Sequence, residues 1–593
     1  MPGFSKKPSN YEFLKKIRSN KKVALKPCKY LKPETKLRAY QAIGTIHFLS
    51  LKGFILGDGV GLGKTIQAIA SYAYDLEKNS DAKLLVITPK SATEQWEEEI
   101  HKFCTGVTTH ILTNEYGKIK DKDEYGKIED LKSKGIKHKK IRGFEARKAQ
   151  YDTISANVLI MGYAAAKGDY EFIIKNRLPR YTVIFDEVQE IKNEKTQAHL
   201  SAEKLSEKAD KVYGLSATII KNRLEEAYNI FNVIVPGLFP GKIKFYSEYT
   251  IRKKMSINIP GSRKKRYFNK VVGYKNLEQF KQLIDPYFLI RKTREVADEL
   301  PRLISNKLSL EMTEKQSKLY KQALDGDLYR RIIKEKYFEY EEYYNKLATP
   351  TEKEEKIYDK LKERYDESLT KEGVRKNKIA ALAYCQIVSN GPGWLKEEGD
   401  SSKEIEFKRL FDQELSNDKV IVFTRFKTGI PILEKILDDL EIKHTRITGE
   451  ESAEERRDAR KKFQEQELKS EEDKAQVIFI TTAGSAAINL QKARVILFYD
   501  TPWSYGDLYQ TIGRAQRIGS LHSHVLLLHM VNKGTIDEHV LKILETKKSL
   551  INTIMGDIAE GAVDFSAEKL ESEKVLFKEE QGEIDELFKS VFR

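Results

Sequence analysis

The sequence predicts an α/β protein with two parallel-sheet domains, and three observations carry that expectation. Short apolar runs recur in two separate stretches of the chain, helical patterns lie between them, and Gly, Pro, Asp or Ser bounds each run. In the first stretch the runs are residues 54–56, 84–87, 158–161, 182–185 and 212–215; in the second they are 420–423, 477–480, 495–498 and 525–528. A strand apolar on both faces is covered on both faces, the environment of a parallel sheet packed between helices.

The remaining segments are expected in order as follows. Residues 1–30 are Lys-rich and weakly periodic, a basic arm. Residues 31–300 form the first α/β lobe, and 401–530 the second. Residues 301–400 between them are charged, Tyr-rich and helical in pattern. Residues 531–593 form a helical brace and tail, in which 556–593 carry 11 Asp and Glu against 5 Lys and Arg. Two basic insertions interrupt the first lobe. Residues 115–150 repeat the tetrapeptide YGKI at 116 and 125, read as low complexity. Arg252, Lys253, Lys254, Arg263, Lys264, Lys265 and Arg266 flank Pro260-Gly261 in a basic hairpin pattern.

Composition narrows the function classes. The chain has 593 residues, and 105 Lys and Arg against 89 Asp and Glu leave a net charge of +16. Hydrophobic residues make up 40%, enough to build large cores and to exclude global disorder. A basic excess points to a polyanionic partner, nucleic acid before membrane. Cys28, Cys104 and Cys385 stand singly, which excludes a disulfide framework and a C-x-x-C metal pair. No apolar stretch reaches the roughly 20 residues that span a bilayer, and no secretory signal opens the chain, so no membrane partner is expected. A cytoplasmic or nuclear location follows as an expectation.

Three motifs carry chemistry. Gly57-Asp58-Gly59-Val60-Gly61-Leu62-Gly63-Lys64-Thr65 follows an apolar run and precedes a helical pattern. Glycines there let backbone N–H groups cradle phosphate oxygens at a helix N-terminus. Lys64 would reach the β- and γ-phosphates of ATP and Thr65 would hold Mg²⁺, although Asp58 stands where the strict pattern has Gly. Asp186-Glu187 ends the run 183–185: Asp186 would position Mg²⁺ and Glu187 would act as general base toward water. In the second lobe, Arg514 and Arg517 stand three apart on one side of an expected helical turn. They would neutralise charge on a transferring phosphoryl group.

Together these motifs resemble helicase superfamily two, specifically the Swi/Snf-type DNA-translocating ATPases, over residues 37–552. Leu37-Arg38-Ala39-Tyr40-Gln41 resembles the adenine-recognising glutamine motif. Thr88-Pro89-Lys90-Ser91 with Gln95-Trp96 resembles a strand-contacting motif, and Asp186-Glu187-Val188-Gln189 is similar to the family's acidic box. Leu215-Ser216-Ala217-Thr218 stands at the motif that couples hydrolysis to movement. Leu289-Ile290-Arg291-Lys292 looks like the inter-lobe junction, Thr424-Arg425 and Thr481-Thr482-Ala483-Gly484 like two second-lobe motifs, and Thr535-Ile536-Asp537-Glu538 like the C-terminal brace.

The resemblance implies two RecA-like P-loop NTPase lobes with helical insertions and ATP between them. It implies ATP contacts from Gln41, Asp58, Gly59, Gly61, Leu62, Gly63, Lys64, Thr65, Gly484, Arg514 and Arg517. It implies DNA contacts from Lys90, Ser91, Thr424, Arg425, Thr481 and Thr482, and coupling through Ser216 and Thr218. The sequence departs from the family at Gln189, where His is usual, and at Ser216-Ala217-Thr218 and Ser485-Ala486-Ala487. The expected function is a monomeric, DNA-stimulated ATPase that translocates on double-stranded DNA. A strand-separating or annealing helicase on forks or RNA is the alternative, and a non-hydrolysing DNA-binding protein a minor one.

Overall fold

The computed structural model describes residues 7–555 except 21, 120–124, 154, 177–179, 218, 221–222, 259–264, 292–299, 348, 371–377, 467, 469, 483–487 and 518. Thr218, Gly484, Arg263, Lys264 and the acidic tail 556–593, all singled out above, lie outside the described residues. The described residues divide into two compact units, the first up to Leu300 and the second from Pro301.

In the first unit, in chain order, the strands are β1 (Gly53–Leu56), β2 (Leu84–Thr88), β3 (Thr109–Ile111), β4 (Glu115–Ile119), β5 (Tyr125–Gly126) and β6 (His138–Arg142). They continue with β7 (Val158–Gly162), β8 (Thr182–Asp186), β9 (Lys211–Leu215), β10 (Thr250–Asn258), β11 (Lys265–Tyr274) and β12 (Phe288–Leu289). The main sheet has the order β12-β1-β9-β8-β2-β7-β3, and each pair in it is parallel. All strands therefore end on the same edge, where an open α/β sheet presents its ligand loops. Each of the five apolar runs is one of its strands. Phe54, Val86, Ile160, Ile184 and Tyr213 from these strands meet Ile69, Tyr72 and Trp96 from flanking helices in the core.

Two local structures differ from expectation. The basic arm contains a helix, Tyr11–Ile17, with Tyr11 and Leu14 buried. Arg18 after it donates to the Asp285 carboxylate at 2.7 Å, and Leu14 joins the main core. An apolar pair three residues apart gives so short a helix one buried stripe, too little to register as periodicity. The repeated YGKI takes part in the architecture: the first copy lies in β4 and the Tyr125-Gly126 of the second forms β5, paired antiparallel with Gly117 opposite Gly126, while Ile128 opens a helix and β6 completes a small sheet. Leu131 packs where side chains at Gly117 and Gly126 would stand, so glycine recurs for close approach. The basic hairpin forms as expected, β10 antiparallel to β11.

The second unit holds β13 (Arg302–Leu310), β14 (Val420–Phe423), β15 (His444–Ile447), β16 (Val477–Ile480), β17 (Val495–Phe498) and β18 (His524–Asn532). Their order is β13-β18-β17-β14-β16-β15, again parallel throughout. The segment expected to be wholly helical thus opens with a nine-residue strand. Its side chains alternate between half-buried and exposed, as an edge strand does, so it lacks the continuous apolar run of the inner strands. Beyond it, helices Glu314–Leu324, Asp327–Asn345, Glu352–Ser368 and Lys378–Asn390 follow the expected pattern. Tyr337 stacks on Tyr365 with ring centroids 4.9 Å apart, so that helical pair is zipped by its tyrosines.

Candidate nucleotide site

Strand order brings the first unit's motifs together. β9 lies between β1 and β8, so the loop after β1, Ser216 after β9 and the acidic pair ending β8 occupy neighbouring strand ends. β1 runs through residues 57–63 into the helix Lys64–Lys78. Gly61 and Gly63 hold φ values of 84° and 71°, conformations that side-chain-bearing residues disfavour. Gly63 is also the N-cap, and a Cβ there would stand 2.7 Å from Gln41 Nε2. Beyond it the first-turn N–H groups have no intrahelical acceptor, the arrangement that binds anions. Lys64 curls over the loop and donates to the carbonyls of Asp58 at 2.9 Å and Gly59 at 3.3 Å. Thr65 is half-buried in the first turn.

The Asp58 carboxylate turns away from that face. It is fully buried and ion-paired with Arg291, whose Nε donates to Oδ1 at 2.9 Å while an Nη donates to Oδ2. Arg291 also donates to the Tyr40 carbonyl and to Gln67 Oε1 at 2.9 Å, and Gln67 Nε2 donates back to Asp58 at 3.2 Å. Above this knot, Tyr40 Oη and Gln41 Nε2 donate to the Leu62 carbonyl at 3.1 and 3.4 Å. Gln41 thus sits against the loop, and Asp58 is its internal strut. Arg291, without an assigned role in the sequence, is the residue that fixes the loop.

The acidic pair is equally constrained. Asp186 Oδ2 accepts from Thr88 Oγ1 at 2.9 Å and Trp96 Nε1 at 2.8 Å, and Oδ1 accepts from the Glu187 amide at 3.0 Å. Burial, reinforced by the neighbouring Glu187 charge, pushes the Asp186 carboxyl up to about 6, against the pull of Trp96, Thr88 and Lys64. A carboxylate so placed is short of positive charge, which fits a divalent cation. Among the described residues no cluster of three or more His, Cys, Asp and Glu could hold a metal by itself. A cation here would take Asp186, Thr65, phosphate and water, the usual pattern for magnesium. Glu187 adopts φ 51°, a left-handed conformation that costs a non-glycine residue about 1–2 kcal/mol. Gln189 Nε2 donates to its carboxylate at 2.6 Å, and Ser216 Oγ donates to Gln189 Oε1 at 2.6 Å. Gln189, where the family's His is expected, therefore wires the acidic pair to Ser216. Tyr163 Oη donates to the Asp186 carbonyl at 2.8 Å, a contact the sequence did not disclose.

In the second unit, Arg514 lies in the last turn of the helix Tyr505–Ala515 and is 4% exposed. Arg517 lies beyond that helix, half-buried, with Nε donating to the Gly513 carbonyl at 2.9 Å. The two arginines do not share a helical turn, because the helix stops at Gln516 (ψ 86°). The six residues expected at DNA divide. Lys90 and Thr482 are exposed, and Ser91 is half-buried. Thr424 Oγ1 donates to the buried Asp500 at 2.5 Å and Thr481 Oγ1 to the Thr448 carbonyl at 2.8 Å, so both hydroxyls serve the interior. Arg425 donates to Gln386 at 2.6 Å and lies 4.4 Å over the Trp503 ring. The brace is buried chemistry as well: Asp537 pairs with the fully buried Lys403 at 2.8 Å.

A family model described as an SNF2-related domain matches residues 13–368, and one described as a helicase conserved C-terminal domain matches 402–519. An uncharacterized ATP-dependent helicase of Mycoplasma genitalium is 25% identical over 541 residues, covering 88% of this chain and 42% of its own. The ATP-dependent helicase fft3 of Schizosaccharomyces pombe is 25% identical over 571 residues, covering 88% of this chain and 57% of its own. The chain spans about half the length of these curated relatives. The solved SWI2/SNF2 ATPase core of Sulfolobus solfataricus in complex with dsDNA is 22% identical, with a TM-score of 0.36, over 90% of this chain and 96% of that one. The first family model alone takes in more than half of the sequence, and the chain belongs to the SNF2-related family.

Proposed function

We propose that this chain is an ATP-hydrolysing, DNA-stimulated motor that moves along double-stranded DNA and remodels protein–DNA complexes, acting as a monomer. One observation carries the proposal: the phosphate-type loop with Lys64 and the half-buried Asp186–Glu187 pair lie at the ends of β1 and β8, with only β9 between them, close enough for the Lys64 charge to act on Asp186. In this reading the first unit is the ATP-binding lobe and the second the helicase C-terminal lobe, with 531–555 as a brace.

The loop amides and Lys64 hold the β- and γ-phosphates, Lys64 exchanging its two carbonyl partners for phosphate oxygens. Gln41 reads the base. Thr65 and Asp186 would hold Mg²⁺, which would offset phosphate charge. Glu187 accepts the proton of a water that attacks the γ-phosphorus as the bond to the bridging oxygen breaks, releasing ADP and phosphate. Arg514 and Arg517 offset the charge on the transferring group. Because Gln189 joins Glu187 to Ser216, a change at the acidic pair is felt in the segment after β9, which is how hydrolysis couples to movement. The +16 charge and the exposed Lys90 support a polyanionic track, and phosphate contacts predict weak sequence preference.

The test is ATP turnover against duplex DNA, single strands and RNA. Duplex should stimulate most, and Lys64→Ala should abolish turnover. Turnover indifferent to nucleic acid would refute the motor; preference for forks or RNA would favour the strand-separating alternative.

A further inference from the structure

The hairpin β10–β11 is a long two-stranded ribbon with an unusual charge distribution. Its two strands carry Arg252, Lys253, Lys254, Lys265, Arg266 and Lys270 and no Asp or Glu. Register places Arg252, Lys253, Lys254 and Lys270 on both faces. Lys253 is opposite Lys270 on one face, while Arg252 and Lys254 share the other with Tyr267 and Asn269. Residues 251–256 are exposed, and so are large apolar groups along the ribbon: Tyr267 is 61% and Ile251 48% exposed. Lys254 Nζ lies 4.9 Å over the Tyr267 ring, which holds the ammonium group on its face. Among the described residues, no carboxylate is ion-paired with Arg252, Lys253 or Lys254.

The root of the ribbon is rigid where the blade is bare. Tyr274 Oη donates to Glu225 at 2.8 Å and accepts from the Leu224 amide at 3.3 Å. The Lys275 amide donates to the Tyr249 carbonyl at 3.0 Å, and Asn276 donates to the Glu248 carbonyl at 2.8 Å. The helix Leu224–Ile234 that holds this root also grips the segment after the acidic pair. Glu226 pairs with Lys192 at 2.9 Å, and Asn229 donates to the Lys192 carbonyl at 2.7 Å. The ribbon is thus carried on the same helix that grips Lys192, in the segment that follows the Asp186–Glu187 turn.

We propose that the ribbon formed by β10 and β11 is a duplex-DNA arm that enters the major groove edge-on, its two basic faces set against the phosphate rows of the two strands. The inference rests on the motor reading above and adds a contact that reading does not need. A ribbon basic on one face only would lie flat on a polyanion. One basic on both faces and free of acids matches a slot with negative walls on both sides. The dimensions agree: a sheet with its side chains is roughly 10 Å thick and the major groove about 12 Å wide. Nine residues at about 3.4 Å each reach roughly 30 Å, close to one turn of duplex. Through the clamped helix, movement at the acidic pair is transmitted to the arm, and the arm follows the groove.

The test compares binding of the full chain to a 30-base-pair duplex and to a single strand of the same length over a salt series. Arg252→Ala/Lys253→Ala/Lys254→Ala should weaken duplex binding about tenfold or more and reduce the log–log salt slope by about 2 to 3, since each lost phosphate contact removes roughly 0.9. Single-strand binding should change far less, because one phosphate row cannot occupy both faces. Lys253→Gln/Lys254→Gln, a milder change should the triple variant fail to fold, should lower the slope by about 2. A control, Lys353→Ala/Lys360→Ala/Lys362→Ala, removes the same charge from exposed positions on the helix Glu352–Ser368 and should leave the slope unchanged. An unchanged duplex slope in the ribbon variants, an equal loss on single strands, or an equal loss in the control would each overturn the arm. Duplex stimulation of wild-type turnover, measured alongside, reports on the motor reading independently.

Discussion

Removing the guanidinium of Arg291 should cost more than any surface change in the first unit, and the cost can be worked from its contacts. Arg291→Met leaves Asp58 fully buried, with Gln67 Nε2 at 3.2 Å as its remaining side-chain partner. The Tyr40 carbonyl and Gln67 Oε1 each lose a charged donor as well. Breaking a buried pair from one side typically costs about 3–5 kcal/mol, because the surviving charge is neither solvated nor paired. The pair itself is worth much less, since both ions lose their hydration to form it. The double variant Asp58→Asn/Arg291→Met should therefore be more stable than Arg291→Met alone, by about 1–3 kcal/mol. Urea unfolding followed by the fluorescence of the buried Trp96 in the first unit measures all three proteins. The single variant should also raise the KM for ATP, because the strut of the loop is lost. An Arg291→Met penalty below about 1 kcal/mol, or a double variant as unstable as the sum of the singles, would refute the strut.

Three further outcomes are expected. Glu404, half-buried and accepting from Trp394 Nε1 at 3.2 Å, has its carboxyl pushed up to about 7 by burial, with a smaller contribution from Asp400. Its stabilising effect is present below the unfolded value near 4.5 and is lost as pH rises through 7, so Glu404→Gln should gain about 2–3 kcal/mol at pH 8 and almost nothing at pH 4.5; an equal gain at both pH values would contradict this. Gln189→Ala cuts the bridge from Glu187 to Ser216, and the ratio of duplex-stimulated to basal turnover should fall about tenfold, the worth of one good hydrogen bond; an intact ratio would show that coupling runs elsewhere. Gly63→Ala forces a side chain into φ 71° against Gln41 Nε2, and the ATP KM should rise about tenfold, as 1–2 kcal/mol of strain requires; calorimetric titration with an unhydrolysed ATP analogue checks it.

The sequence was most legible where physics leaves one solution. Strands buried on both faces must be apolar throughout, so the inner strands of both sheets stand out as runs. The edge strand β13 alternates instead, and its character depends on β18 beside it. The glycine loop and acidic pair could be read because their chemistry is local. The Arg291–Asp58 pair could not, since its partners are 233 residues apart and either alone looks like a solvated charge. The hydroxyl partners of Thr424 and Thr481 are likewise invisible in sequence. Here those partners are Asp500 and the Thr448 carbonyl. The YGKI copies show the converse: only the fold reveals that Gly117-Lys118 of one pairs with Tyr125-Gly126 of the other.

The pairing of β13 with β18 also bears on how the chain is made. Arg302 lies opposite His524, which follows it by 222 residues. During synthesis at roughly 5–20 residues per second, β13 waits more than ten seconds for its partner, while the first unit already has all its strands. An unpaired strand invites wrong partners, and Arg302 and Lys307 supply the charge that discourages them. The second sheet is therefore closed by its first-made strand last, once synthesis has passed β18.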